Sequence, residues 1–81
     1  MDIVKLIEFL VKNIVKNPDA VSVKRYDDDD EYVNIEVIVD SSDMGAVIGK
    51  SGNTANSIRT IVQAAAYANK EKKVKINFDS Y

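Results

Sequence analysis

Between residues 2 and 16, Ile3, Leu6, Ile7, Leu10, Val11, Ile14 and Val15 recur at spacings of three and four, with Lys5, Glu8, Lys12 and Lys16 between them. That period puts the apolar side chains on one stripe of an α-helix. Pro18 disfavours helical dihedrals at Asn17 and has no amide hydrogen to give, so the helix is expected to run to Lys16 and stop at Asn17-Pro18-Asp19. The period then changes to two. Val21 and Val23 alternate with Ser22 and Lys24, and Val33, Ile35, Val37 and Val39 alternate with Asn34, Glu36 and Ile38, which predicts two strands, adjacent and antiparallel. Ile38 is the misfit, an apolar residue on the polar side of its strand, and is expected to line a groove.

Farther along, Ser41, Ser42 or Asp43 can cap a short helix over residues 44–48, which Gly49 stops. A longer helix follows almost at once, capped by Ser51, Asn53 or Thr54. Its expected buried face is Ala55, Ile58, Ile61, Val62, Ala65 and Ala68, with Asn56, Arg59, Gln63 and Tyr67 on the other side. Val74, Ile76 and Phe78 then alternate with Lys73, Lys75 and Asn77 as a third strand. The order helix, strand, strand, short helix, longer helix, strand predicts an α+β fold of two layers, a three-stranded sheet packed against helices. At 81 residues the chain has material for one hydrophobic core, so residues 1–81 are expected to form one domain.

Composition narrows the chemistry. The sequence has no Cys and no His, which removes thiolate and imidazole catalysis, disulfides and the common zinc sites. No uncharged run approaches the roughly 20 residues of a membrane span, and charges interrupt the apolar N-terminal stretch, so a cytoplasmic protein is expected. The net charge of −2 argues at first against a polyanionic partner. Five of the thirteen acids, however, are consecutive at positions 27–31, and the rest of the chain sets eleven basic residues against eight acidic ones. Where charge sits matters more than its sum. The acidic run reads as a solvated connection; it lacks the ligand spacing and central glycine of a calcium loop.

The informative segment is Met44-Gly45-Ala46-Val47-Ile48-Gly49-Lys50-Ser51-Gly52-Asn53. Two glycines three apart allow a sharp backbone turn between helices, and without side chains they let a phosphodiester approach main-chain amides. The start of the following helix points its free N–H groups into that turn. Lys50 adds a mobile positive charge at the tip. Nothing here can break a covalent bond, so no enzyme activity and no cofactor are expected. The segment falls short of a nucleotide-binding P-loop, which needs four residues between its glycines where Gly45 and Gly49 have three.

In this context the G-x-x-G turn resembles that of KH modules, which clamp about four backbone nucleotides of single-stranded nucleic acid. The order of elements resembles the type II form of the fold. Asp43-Met44-Gly45, Val47-Ile48-Gly49-Lys50, Ile58-Arg59-Thr60 and Ala64-Ala65-Ala66 resemble the small stand-alone bacterial KH proteins of the KhpA type over nearly the whole chain. The resemblance implies sequence-tolerant binding of RNA without catalysis, and either a homodimer or a heterodimer with a larger KH-containing protein. It implies no membrane and no small-molecule substrate. The implied RNA-binding residues are Ile48, Gly49, Lys50, Ser51, Gly52, Asn53 and Arg59. Asn53 stands where the family often has arginine, and Ser51 where it often has a longer polar residue, which implies a looser hold on phosphate.

Further expectations follow from that arrangement. Val47, Ile48 and Ile38 would line a groove for bases, with Tyr26 and Tyr32 as candidate stacking partners. The acidic run would rim the far side of the groove and repel backbone phosphates. Ala64, Ala65 and Ala66 serve either helix propensity or a close-packed dimer surface. The competing functional reading is a protein-interaction module on a KH scaffold with weak RNA affinity.

Overall fold

The computed structural model, which describes residues 2–81, contains helix α1 (Ile3–Lys12), strands β1 (Ser22–Tyr26) and β2 (Tyr32–Val39), helices α2 (Met44–Ile48) and α3 (Asn53–Ala68), and strand β3 (Lys73–Ser80). The expected order is therefore the observed one. The strands lie in the order β1-β2-β3. β1 pairs antiparallel with β2, Ser22 opposite Ile38 and Tyr26 opposite Asn34, while β3 pairs parallel with β2, Tyr32 opposite Lys73 and Val39 opposite Ser80. A parallel pair needs a crossover connection, and α2 and α3 supply it.

Because successive strand residues face opposite sides, β2 sends Val33, Ile35, Val37 and Val39 to the helices, where all four are buried. Ile3, Ile7 and Val11 of α1, Val47 of α2, and Ile58, Val62 and Ala66 of α3 close over them. Burial of such side chains stabilises the fold by about 1.5–3 kcal/mol each. The other sheet face carries Tyr32, Asn34, Glu36 and Ile38, and there the Lys75 ammonium lies 4.1 Å from the centre of the Tyr32 ring.

The first helix ends at Lys12, four residues before the expected limit. Asp43 is the cause. Its carboxylate accepts the Lys16 N–H at 3.0 Å and the Asn17 N–H at 3.1 Å, amides that a continuing helix would have donated to the carbonyls of Lys12 and Asn13. With the Asn17 amide group also donating to it at 3.3 Å, Asp43 is the one buried charged residue among those described, 1% exposed. It therefore does not cap the short helix. Asp40 caps the single turn before α2 instead, accepting the Ser42 N–H at 2.9 Å and the Ser42 hydroxyl at 2.8 Å, which holds its own carboxyl below the usual range.

On α3 the buried face is narrower than expected and rotated: Ala55, Ile58, Val62 and Ala66 face the core, whereas Ala65 is half-buried and Ile61 and Ala68 are exposed. The helix touches α1 and the sheet on one side only, so a stripe of spacing three and four suffices.

Candidate nucleic-acid interface

The segment from α2 to α3 is shaped by three residues with left-handed backbones. Gly49 (φ 76°, ψ 175°) ends α2, and Ser51 (φ 56°) and Gly52 (φ 77°, ψ 9°) turn the chain into α3. Gly49 has a second constraint, close approach: a Cβ there would lie 2.7 Å from the Cβ and 2.8 Å from the backbone nitrogen of Thr54, and would also strike its hydroxyl oxygen. Only glycine satisfies both.

Neither Ser51 nor Asn53 nor Thr54 caps α3, contrary to the expectation. The capping position falls on Gly52, which has no side chain to accept a bond, so the first amides of a 16-residue helix are left without a side-chain acceptor. Four such donors per helix ordinarily find a partner. The Asn53 N–H turns back to the Lys50 carbonyl and the Gly52 N–H to the Gly49 carbonyl, so the turn closes on itself at a helix N-terminus, beside the exposed Lys50, an end of the helix suited to an anion. The electrostatic setting agrees: residues 44–70 contain Lys50, Arg59 and Lys70 and no Asp or Glu.

Ile48, Gly49, Lys50, Ser51, Gly52 and Asn53 thus form one continuous corner, with Ile48 and Gly49 half-buried at its base and Lys50, Ser51 and Asn53 exposed. Arg59 stands apart, about 9 Å along the axis of α3 from Asn53. Its guanidinium donates twice to the Ile76 carbonyl, at 3.3 and 3.1 Å, and once to Asn56 Oδ1 at 3.1 Å, and lies 5.3 Å from the centre of the Phe78 ring. It staples α3 to the outer edge of β3. One turn on, Gln63 does the same, its Oε1 accepting the Val74 N–H at 2.9 Å.

Between these two elements runs an open groove of about 690 Å³ lined by Arg59, Thr60, Gln63, Ala64, Tyr67, Lys73 and Val74. This is not the groove expected from the sequence. Val47 is buried in the core, and Ile38, Tyr26 and Tyr32 lie on the far face of the sheet, because the parity of β2 sends them there. Gln63 and Tyr67 were legible only as polar or aromatic positions off the buried stripe; that they border a groove depends on β3 returning alongside α3.

The acidic run joins β1 to β2 at the end of the sheet opposite the glycine turn, roughly 23 Å away along an eight-residue strand. It is partly tied down: Asp27 accepts from Arg25 Nε, and the Asp29 carbonyl accepts from the Lys72 ammonium at 2.8 Å. The Arg25 guanidinium also forms a two-pronged pair with Glu71 at 2.9 and 3.1 Å, and these bonds hold the Glu71 carboxyl below its usual range.

No helix among the described residues is long and apolar enough to cross a membrane, and among them no group of three or more carboxylates could hold a metal ion.

The sequence and the fold both match known proteins. The model of the KH domain of KhpA/KhpB matches residues 4–78. The chain is 46% identical over 69 residues to RNA-binding protein KhpA of Caldanaerobacter subterraneus subsp. tengcongensis, covering 85% of this chain and 88% of that protein. It is 35% identical over 72 residues to RNA-binding protein KhpA of Thermotoga maritima, covering 89% and 95%. Among solved structures, an Aquifex aeolicus Era variant bound to GDP and AlF4⁻ superposes with a TM-score of 0.76 at 14% identity, over 98% of this chain and 30% of that one. Era in complex with MgGDPNP and nucleotides 1506–1542 of 16S ribosomal RNA gives 0.67 at 17% identity, over 96% and 29%. At those identities the likeness to Era is one of fold.

Proposed function

Because this chain belongs to the KhpA/KhpB family of KH domains, we propose that it binds RNA, seating the backbone of an unpaired strand on the turn at residues 49–52, with residues 1–81 acting as one KH domain. The observation that carries the reading is the glycine turn into α3, where a helix start without a side-chain cap lies beside the exposed Lys50 in a stretch of sequence free of acids. Amides and an ammonium recognise phosphate and carry no sequence information, so the grip is largely sequence-tolerant. The reading assigns binding to this corner and no chemical step, needs no cofactor, and places the protein where RNA is, in the cytoplasm. Ile48 and Gly49 shape the corner, Lys50, Ser51, Gly52 and Asn53 meet the backbone, and Arg59 contributes charge from α3, its guanidinium held at the edge of β3.

The test is RNA affinity at several salt concentrations for the wild type and for Lys50→Asp combined with Ser51→Asp. The double variant is expected to lose most of its affinity and to flatten the salt dependence, since a phosphate contact has gone and two like charges have come. Equal binding by both proteins would refute the assignment.

A second chain is part of the reading. Ile61, 47% exposed, and the exposed Ala68 form an apolar stripe with half-buried Ala65, on a side of α3 that does not line the groove with β3. Small residues let a second helix pack closely, so this stripe is assigned to pairing with another KH chain, its own copy or a larger KH-containing protein. Ile61→Asp should leave RNA binding by the monomer intact while lowering the sedimentation coefficient of the assembly.

A further inference from the structure

In the groove between α3 and β3, the side chains of Arg59, Gln63 and Lys73 present hydrogen-bond donors. The Val74 N–H can only donate, so the Gln63 amide that meets it must turn its oxygen toward β3. The amide nitrogen, with both hydrogens, is left to the open side, and no residue among those described accepts from it. Arg59 on one side of Gln63 and Lys73 on the other have no acceptor atoms in their side chains. Thr60 lies on the outer rim, where its hydroxyl donates to the Asn56 carbonyl at 3.0 Å. Tyr67, 83% exposed at the mouth, offers a flat face that any base can stack on.

We infer that this groove takes an unpaired base that presents carbonyl oxygens, and that Gln63 is the residue that sets the preference. The inference rests on the RNA-binding reading above and adds a base selection that the backbone grip does not supply. Uracil offers two carbonyl acceptors to the row of donors. Adenine has none, and its exocyclic amino group meets the Gln63 amino group donor to donor. A ring nitrogen of adenine can still accept, so the discrimination is a preference of the order of one hydrogen bond, about fivefold.

The experiment compares short oligo(U) and oligo(A) at one fixed salt concentration for the wild type, Gln63→Glu and Tyr67→Ala, with circular dichroism to confirm folding. Gln63→Glu keeps an oxygen for the Val74 N–H and turns the groove-facing nitrogen into an acceptor. The expected result is a wild-type preference for oligo(U), and a fall of about fivefold or more in the U-to-A affinity ratio in Gln63→Glu. Tyr67→Ala should weaken both ligands with the ratio unchanged. The ratio is the decisive quantity: base stacking within free oligo(A) biases every variant equally, and the added negative charge weakens both ligands equally. If the wild type binds both strands and Gln63→Glu leaves the ratio unchanged, the groove assignment falls while RNA binding stands. If the wild type binds neither strand, both readings fall.

Discussion

Replacing the three glycines around the turn by alanine, one at a time, separates conformational need from steric need. At Gly49 the backbone lies in a region that residues with a Cβ scarcely enter, at a cost of about 1–3 kcal/mol. The new methyl would also press on Thr54, 2.7 Å from its Cβ and 2.8 Å from its main-chain nitrogen. Rotating the Thr54 side chain relieves neither contact, so the first turn of α3 must move, adding about 1–3 kcal/mol. Loss of unfolded-state freedom returns about 0.4–1 kcal/mol. The net destabilisation expected of Gly49→Ala is roughly 1–6 kcal/mol, a large part of the 5–15 kcal/mol that holds a domain together. Gly52 is left-handed too, yet its nearest neighbour would be Asn56 Nδ2 at 3.8 Å, an ordinary contact, so Gly52→Ala should cost only about 1 kcal/mol. Gly45 lies within α2 with nothing inside 4 Å, and Gly45→Ala should stabilise the fold by about 0.5–1 kcal/mol. Urea denaturation followed by circular dichroism reads all three. The reasoning is refuted if Gly49→Ala and Gly52→Ala prove equally mild, because the contact with Thr54 would then not be rigid.

Three other perturbations probe what surrounds the turn. Asp43→Asn keeps one acceptor but turns an amino group on one of two main-chain donors, so it should destabilise by about 1–3 kcal/mol in the same denaturation experiment; a neutral result would mean that the amides of Lys16 and Asn17 find other partners. Glu71, whose carboxyl Arg25 holds below its usual range, contributes stability that is fully present above the ordinary glutamate range and is lost as pH falls through the lowered value. Glu71→Gln should therefore cost up to about 1 kcal/mol near neutrality and little in acid, and a constant difference across that window would disprove the linkage. Replacing residues 28–31 by Ser and Gly, while leaving Asp27 to Arg25, should tighten RNA binding with an altered salt slope; unchanged affinity would show that the acidic loop is too far from the strand to repel it.

Departures from expectation have two sources, a distant partner or the local course of the turn. The spacing in α1 continues past Lys12, but Asp43, some 26 residues on, takes the amides that would have extended the helix. Hydroxyl and amide side chains near the start of α3 looked like caps, yet the turn brings Gly52 to that position. Ile38 looked like a groove residue until the register set it opposite Ser22 and Asp79, on the face the helices do not cover.

The number, type and order of the main helices and strands, the buried face of β2 and the glycine corner are legible in the residue pattern alone. Those depend on a period of two or 3.6 and on the steric freedom of single residues, which act over a few positions of chain. That β3 returns parallel to β2 alongside α3, and that Arg59 and Gln63 bridge to the edge of β3 beside a groove, emerges only once the chain is folded. That outcome belongs to packing: which donor meets which acceptor across 11 or 17 residues of chain is settled when the two layers close on one core, and no local pattern encodes it.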